Sequence, residues 1–168
     1  MSADSDEPSA WVGLGSNQGD SLAELRRAEQ GLRSLGQIVA RSHIYATDPV
    51  GGPPGQADYL NAVVALRTDL TTHALLRALL DLEERLGRVR TVRWGPRNID
   101  LDLLAHGDVN VDDPVATVPH PRLHHRAFVL VPLAEVAPGW RHPVTGVTAE
   151  GMLARLDTSG VRRTDLTW

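Results

Sequence analysis

Apolar and polar positions alternate along the chain with two different periods, and the changes of period divide it into elements. Trp11-Val12-Gly13-Leu14-Gly15 is a short apolar run that ends in the turn cluster Gly15-Ser16-Asn17-Gln18-Gly19-Asp20, which predicts a strand followed by a tight turn. Leu22, Leu25, Ala28, Leu32 and Leu35 then recur at helical spacing, predicting a helix capped by Asp20 or Ser21 and stopped at Gly36. Gln37 to Tyr45, with Ile38, Val39 and Ile44, predicts a second strand. The stretch from Thr47 to Gln56 holds three prolines and three glycines, which break both periods and predict a long loop of the kind that often binds ligands. Asp58 to Leu66 predicts a third strand, on which Tyr59 and Asn61 share a face. A second helix begins at Thr71 or Thr72, carries Leu75, Leu76, Leu79, Leu82 and Leu86 as its stripe, and stops at Gly87.

After that glycine the pattern changes sharply. Arg88, Arg90, Arg93 and Arg97 crowd one short stretch, and then Ile99, Leu101 and Leu103 alternate with Asp100 and Asp102. Period two predicts a fourth strand whose two carboxylates project side by side, roughly 6–7 Å apart at the backbone. His106-Gly107-Asp108 predicts a turn, Val109 to Val111 a short strand and Asp112-Asp113-Pro114 a loop. Ala127 to Ala137 predicts a buried helix in which Pro132 either makes a kink or marks a later start. The last segment carries one amphipathic helix, with Met152, Leu153 and Leu156. The order β-α-β-β-α-β predicts an α+β fold, a ferredoxin-like βαββαβ sandwich with helices packed on an antiparallel sheet and C-terminal additions. In that expectation two helices share one face, and the first and fourth strands fill the two central positions, bringing Gly15 beside Asp100.

Composition narrows what such a fold is for. At 168 residues, with 42% hydrophobic and 23% charged positions, the chain is expected to form a single domain over residues 10–168 behind a polar, disordered lead-in at residues 1–9. No apolar run approaches the ~18 residues of a membrane span, the lead-in lacks signal-peptide character, and cytoplasm is the expected location. There is no cysteine, so thiolate chemistry and disulfides are excluded. The net charge of −4 argues against general nucleic-acid binding. All 17 Lys+Arg residues are arginine, which removes P-loop phosphate binding and Schiff-base chemistry. Anions must therefore be handled by guanidinium, backbone amide or metal.

Two carboxylates on an otherwise apolar strand repel each other and resist burial unless a cation lies between them. A hard divalent cation with phosphate oxygens as its other ligands satisfies that need, and the upstream arginines suit the rest of a polyphosphate. Tyr59 and Asn61 suit a flat polar heterocycle, as packing surface and as amide donor and acceptor. The Gly15–Asp20 junction can bind phosphate at a helix N-terminus or can simply make a turn. His120 and His124 have the spacing of a helical zinc pair, but Pro121 interrupts any helix there, and the three His and two Arg of Val118 to Arg126 suit contacts to nucleotide phosphates better. Glu83 and Glu84 sit near a helix C-terminus, where the macrodipole disfavours carboxylates, so a specific role or a nearby arginine is expected.

Several stretches together resemble one family, the 6-hydroxymethyl-7,8-dihydropterin pyrophosphokinases of folate synthesis. They are Gly15-Ser16-Asn17-Gln18-Gly19-Asp20, Tyr45-Ala46-Thr47-Asp48-Pro49-Val50-Gly51, Asp58-Tyr59-Leu60-Asn61-Ala62 and Arg93-Trp94-Gly95-Pro96-Arg97-Asn98-Ile99-Asp100-Leu101-Asp102. Val118-Pro119-His120-Pro121 and Arg126-Ala127-Phe128-Val129-Leu130-Val131-Pro132-Leu133 complete the set. The resemblance runs from about Val12 to Pro138, with Arg-Trp-Gly-Pro-Arg-x-x-Asp-x-Asp as its most specific element. It implies Mg²⁺-dependent transfer of pyrophosphate from ATP to the hydroxymethyl group of the dihydropterin, leaving AMP.

The same resemblance implies roles residue by residue. Asp100 and Asp102 would hold two Mg²⁺ ions on the ATP phosphates, with Arg88 and Arg97 as catalytic arginines. Arg90, Arg93, Ile99, His120 and Arg126 match ATP contacts. Thr47, Val50, Tyr59, Asn61, Trp94 and Phe128 match the pterin pocket and the residue closing over it, and Glu83 matches a carboxylate at the site's edge. The loops at 47–56 and 88–97 are expected to move between open and closed states. Pro121 stands where some members have Tyr, and the segment around Val115 lacks an Arg that some members use. ATP and the dihydropterin are the expected partners of a monomer, without nucleic acid or membrane. A metal-dependent nuclease would also use Asp-x-Asp on a strand, but the acidic net charge opposes it. An RNA-binding sheet would need paired aromatics, which a 4% aromatic content makes scarce.

Overall fold

Seven of the first strand's residues run as β1 (Ala10–Ser16), which lies between β4 (Tyr59–Arg67) and β5 (Asp100–His106) and is antiparallel to both. The structure, a computed structural model, describes residues 10–17, 20–48, 58–87 and 98–168. On the far side of β4 come β3 (Tyr45–Thr47) and then β8 (Val161–Arg163), giving the order β5-β1-β4-β3-β8, while β2 (Gln37–Arg41) also pairs with β4. The protein is thus a mixed α+β fold built on an antiparallel sheet with helices packed against it.

Two expectations about this sheet need correction. The predicted fourth strand, β5, is not central: among the described residues it pairs only with β1, at one end of the order. Its outer edge is covered from the helix layer instead, where Glu83 accepts the Leu101 backbone N–H at 2.7 Å and so satisfies a donor that an edge strand would leave open. The expected adjacency survives, because Gly15 pairs with Asp100 and Gly13 with Asp102. The predicted second strand is two strands. Buried Ser42 lies between them, accepting the Val63 N–H at 2.9 Å and donating to the His43 carbonyl at 2.7 Å.

The two helices expected to share one face do so, and two later helices cover the other. On the first face α1 (Ser21–Leu32) and α2 (Thr72–Arg85) bury Leu25, Leu32, Leu75 and Leu79 against Val12 and Leu14. Their N-termini are closed by Asp20, which accepts from Ala23 N–H, and by Thr71, which accepts from Ala74 N–H, the expected capping arrangement. On the opposite face α3 (Ala127–Val136) and the short α4 (Ala149–Leu153) pack Leu130, Leu133 and Met152 on Trp11, Val63 and Leu104. A bulge where β5 passes Trp11 and Val12 turns Leu104 and Ala105 both toward this second layer. α3 starts five residues before Pro132, which stands inside it. The proline offers no N–H to the carbonyl of Phe128 one turn back.

The chain between β5 and α3 forms the hairpin β6 (Val111–Asp112) and β7 (Thr117–Val118), a cis Val118–Pro119 bond and a 3-10 turn at Leu123–His125. The strand expected at Val109 to Val111 is therefore β6, begun later and paired. His120 N–H donates to the Leu104 carbonyl at 2.9 Å, which fastens this connection to the sheet on the side of α3.

Candidate active site

The second face of the sheet is only partly covered, and the uncovered part is a cleft of about 700 Å³. Its floor follows from strand register. Residues directly opposite one another in an antiparallel pair project to the same face, so Asn61, Gly15 and Asp100 form one row across β4, β1 and β5, and Val63, Gly13 and Asp102 form the next. In each row the middle residue has no side chain. Strands about 4.8 Å apart place the outer members of a row roughly 10 Å apart at the backbone, and the glycines leave the space between them open. Asp100 and Asp102 are half-buried on this face, as period two predicted.

One wall of the cleft comes from β3 and β4. Asn61 is buried, and its Nδ2 donates to Thr47 Oγ1 at 2.7 Å. This bond turns Asn61 Oδ1 toward β1, where a Cβ built on Gly15 would lie 2.9 Å from it. The Thr47 hydroxyl, having accepted that bond, keeps its own proton to donate. Tyr59 lines the same wall. The facing wall comes from the segment entering α3, with His120, Arg122, Arg126 and Phe128. The Arg126 guanidinium lies over the Phe128 ring at 5.5 Å, a cation–π contact that fixes both side chains.

His120 is held neutral. Burial first, and then the positive charges of Arg126 and Arg122, push its pKa down to about 4. Its Nδ1 accepts the Arg122 N–H at 3.2 Å, so the ring proton resides on Nε2 and His120 is a neutral donor near pH 7.

A second cleft of about 400 Å³ runs along the outer edge of β5 between α2 and β7. Leu76, Leu80, Leu103 and Val115 give it an apolar surface, His73 and Arg77 add polar groups, and Asp100, Asp102 and His120 border it as they border the first. The two spaces meet at the paired aspartates. Glu83 sits behind that junction, 6% exposed, with its bond to Leu101 N–H fixing the backbone between Asp100 and Asp102. The carboxylate that looked misplaced at a helix C-terminus is thus employed across the elements.

Of the residues singled out from sequence, Thr47, Tyr59, Asn61, Asp100, Asp102, His120, Arg126 and Phe128 line the first cleft together, and Glu83 borders the second. Ile99 does not join them through its side chain, which is fully buried in the core under α1 and α2, leaving only its backbone to a ligand. Val50, Arg88, Arg90, Arg93, Trp94 and Arg97, with both loops expected to move, lie outside the described residues apart from Thr47 and Asp48. Sequence reading passed over Gly13 and Asp48 and gave no individual role to Arg122 and His125, all of which line the first cleft. The glycines carried a usable signal, since glycines at i and i+2 of a strand open one face.

Paired carboxylates beside a neutral imidazole and guanidinium groups are the equipment of a transferase that handles polyphosphates. The family model for 7,8-dihydro-6-hydroxymethylpterin-pyrophosphokinase matches residues 11–138. The chain is 47% identical over 158 residues to the 2-amino-4-hydroxy-6-hydroxymethyldihydropteridine pyrophosphokinase of Methylorubrum extorquens, covering 93% of this chain and 98% of that one. It is 41% identical over 155 residues to the enzyme of the same name from Bacillus subtilis, covering 91% and 88%. Among solved structures it resembles wild-type HPPK-DHPS of Plasmodium falciparum, with a TM-score of 0.71 at 14% identity. That match covers 93% of this chain and 48% of the longer chain, so the protein spans about half of it and the likeness concerns fold. The chain belongs to the 7,8-dihydro-6-hydroxymethylpterin-pyrophosphokinase family.

Proposed function

We propose that the chain transfers the pyrophosphoryl group of ATP to the hydroxymethyl oxygen of 6-hydroxymethyl-7,8-dihydropterin in folate biosynthesis, releasing AMP and the dihydropterin pyrophosphate. One observation carries the assignment of the site: two clefts of different lining meet at Asp100 and Asp102. A bisubstrate transfer needs such a junction, because each substrate requires its own pocket while the reacting groups share one place.

The pterin belongs in the first cleft. Tyr59 and Phe128 offer aromatic surfaces to a flat ring, and Asn61 and Thr47 offer amide and hydroxyl groups in fixed orientation. The leucines and Val115 of the second cleft suit the nucleotide base, with the triphosphate lying across β5 toward His120 and Arg126. The residues present fit magnesium: Asp100 and Asp102 supply hard oxygen donors above the side-chain-free Gly13 and Gly15, and phosphate oxygens complete such a site. Two ions held there would offset the triphosphate charge and favour loss of the hydroxymethyl proton.

The protein's own contributions are positioning and charge. Neutral His120 donates Nε2–H to a phosphate oxygen without titrating near pH 7. Arg126 adds a fixed positive charge, and Glu83 keeps the Asp100–Asp102 backbone in register. We assign Arg88 and Arg97 to the migrating phosphates, Arg90, Arg93 and the Ile99 backbone to the nucleotide, and Val50 and Trp94 to the pterin side. Phosphoryl-type transfer needs little more from a protein.

The remaining proposals concern setting. We read residues 10–168 as one domain, and β5-β1-β4 with β2 and β3 together as the ferredoxin-like strand order. We also read the chain as a cytoplasmic monomer; among the described residues no helix is long and apolar enough to cross a membrane.

Substitution at the pterin wall tests the division of the site. Asn61→Ala is expected to raise KM for the dihydropterin about tenfold, the cost of one or two lost hydrogen bonds, with KM for ATP unchanged. Equal increases for both substrates would place the pterin elsewhere.

A further inference from the structure

Residues 139–168 lie beyond the segment matched by the family model, yet part of this tail pairs with the strand that carries Thr47 in the wall of the cleft. β8 pairs with β3 so that Arg163 lies opposite Tyr45, Arg162 opposite Ala46 and Val161 opposite Thr47. β3 has only three residues, and without β8 the strand carrying Thr47 would be an open edge.

Consecutive strand residues project to opposite faces, so the two arginines of β8 reach different partners. Arg162 donates from Nη1 to Asp48 Oδ1 at 3.2 Å and from Nη2 to Asp58 Oδ2 at 2.6 Å. Asp48 follows Thr47 and Asp58 precedes Tyr59, so one guanidinium spans the ends of β3 and β4 where both enter the cleft. Arg163 donates from Nη2 to His43 Nε2 at 2.6 Å. Because arginine only donates, His43 accepts there and carries its proton on Nδ1, which bonds Glu135 Oε2 at 2.5 Å. Glu135 also accepts the His43 backbone N–H at 3.0 Å and the Tyr45 hydroxyl at 2.7 Å.

The connected groups therefore run from β8 through His43 to α3 and back to β3 at Tyr45. The electrostatics agree with this linkage. Burial and the neighbouring Glu135 push the Tyr45 hydroxyl up to about 12, so it remains a donor. Burial would raise Glu135, but bonds from Tyr45 and His43 outweigh it and hold the carboxyl below its ordinary value.

We infer that β8 is a positioning element for the pterin side of the cleft, with Arg162 and Arg163 each holding one flank of Thr47. Thr47 in turn holds the Asn61 amide, so a shift of β3 reaches the group assigned to read the pterin. Arg162 acts on two carboxylates that otherwise repel each other, Asp48 in the lining of the first cleft and Asp58 next to Tyr59. Arg163 acts at one remove, by fixing the His43 tautomer that Glu135 needs. The inference rests on the proposed placement of the pterin against Thr47 and Asn61.

The arginines are half-exposed, so their removal should not unfold the chain, since exposed ion pairs add little to global stability. Arg162→Ala, Arg162→Lys and the double variant Arg162→Ala/Arg163→Ala test the inference in the full chain, with Asn61→Ala alongside. The double variant is expected to raise KM for the dihydropterin about three- to tenfold, leaving KM for ATP and kcat within about twofold and Tm within a few degrees. Arg162→Lys is expected to recover part of the loss, since a lysine amine can still neutralise one of the carboxylates. Unchanged KM for the dihydropterin in the double variant, while Asn61→Ala raises it, overturns the role of β8 alone. KM values that rise equally for both substrates together with a large fall in Tm overturn it in favour of a general structural role. If Asn61→Ala also leaves the dihydropterin KM unchanged, the placement of the pterin fails first.

Discussion

Gly15 shows how much of the site depends on a side chain that is not there. It stands between Asn61 and Asp100 in one row of the sheet, and the Asn61 amide leans across it because Thr47 holds the other end. A methyl group at this position would meet Asn61 Oδ1 at 2.9 Å, closer than real contacts allow. Asn61 cannot yield without breaking its bond to Thr47. Gly15→Ala is therefore expected to raise KM for the dihydropterin by about tenfold, the cost of one misplaced amide. Tm should change little, because β1 is otherwise well paired. An unaltered KM would show that Asn61 is free to move or does not read the substrate. At this scale the sequence was most legible where chemistry is carried by charge. Asp100 and Asp102 announced themselves by alternating with leucines, whereas the glycines at i and i+2 signalled an open face whose neighbours, Asn61 and Asp100, follow only from cross-strand register.

Between elements, the junction of α2 with β5 matters most. α1 comes close to α2 because Gly31 has no side chain; a Cβ there would lie 2.6 Å from Leu82 Cδ1. This packing brings buried Glu83 to the outer edge of β5, where it accepts Leu101 N–H. Glu83→Ala leaves that buried donor unpaired, which costs about 1–3 kcal/mol. For a chain of this size Tm should fall by roughly 2–4 °C per kcal/mol, and kcat should fall as the two aspartates lose their fixed backbone. Unchanged Tm would mean that the Leu101 N–H finds another partner. Periodicity foretold α1, α2 and most of the central strands, because a buried stripe leaves its period in the sequence. The break at Ser42 was hidden because a buried serine satisfied by two backbone bonds looks apolar in pattern. β8 was missed because Val161–Arg163 has one apolar residue and no alternation; its pairing comes from the exposed edge of β3.

For the whole molecule, the topology assigns each face of the sheet a different task. The face under α1 and α2 is a closed core that includes Ile99, while α3 and α4 cover the other face incompletely and leave the cleft. The pair of helices expected on one face is α1 and α2; the layer of α3 was not legible, since a helix apolar on all sides does not reveal which layer it joins. The proposed role of the junction at Asp100 and Asp102 is Mg²⁺-dependent pyrophosphoryl transfer. Its most direct test is to incubate the protein and its Asp102→Asn variant with ATP, Mg²⁺ and 6-hydroxymethyl-7,8-dihydropterin, and to identify the nucleotide product. The protein should release AMP in step with dihydropterin pyrophosphate, and the variant, folded by circular dichroism, should release almost none. ADP as the product, or undiminished AMP from the variant, would rule out pyrophosphoryl transfer at this junction.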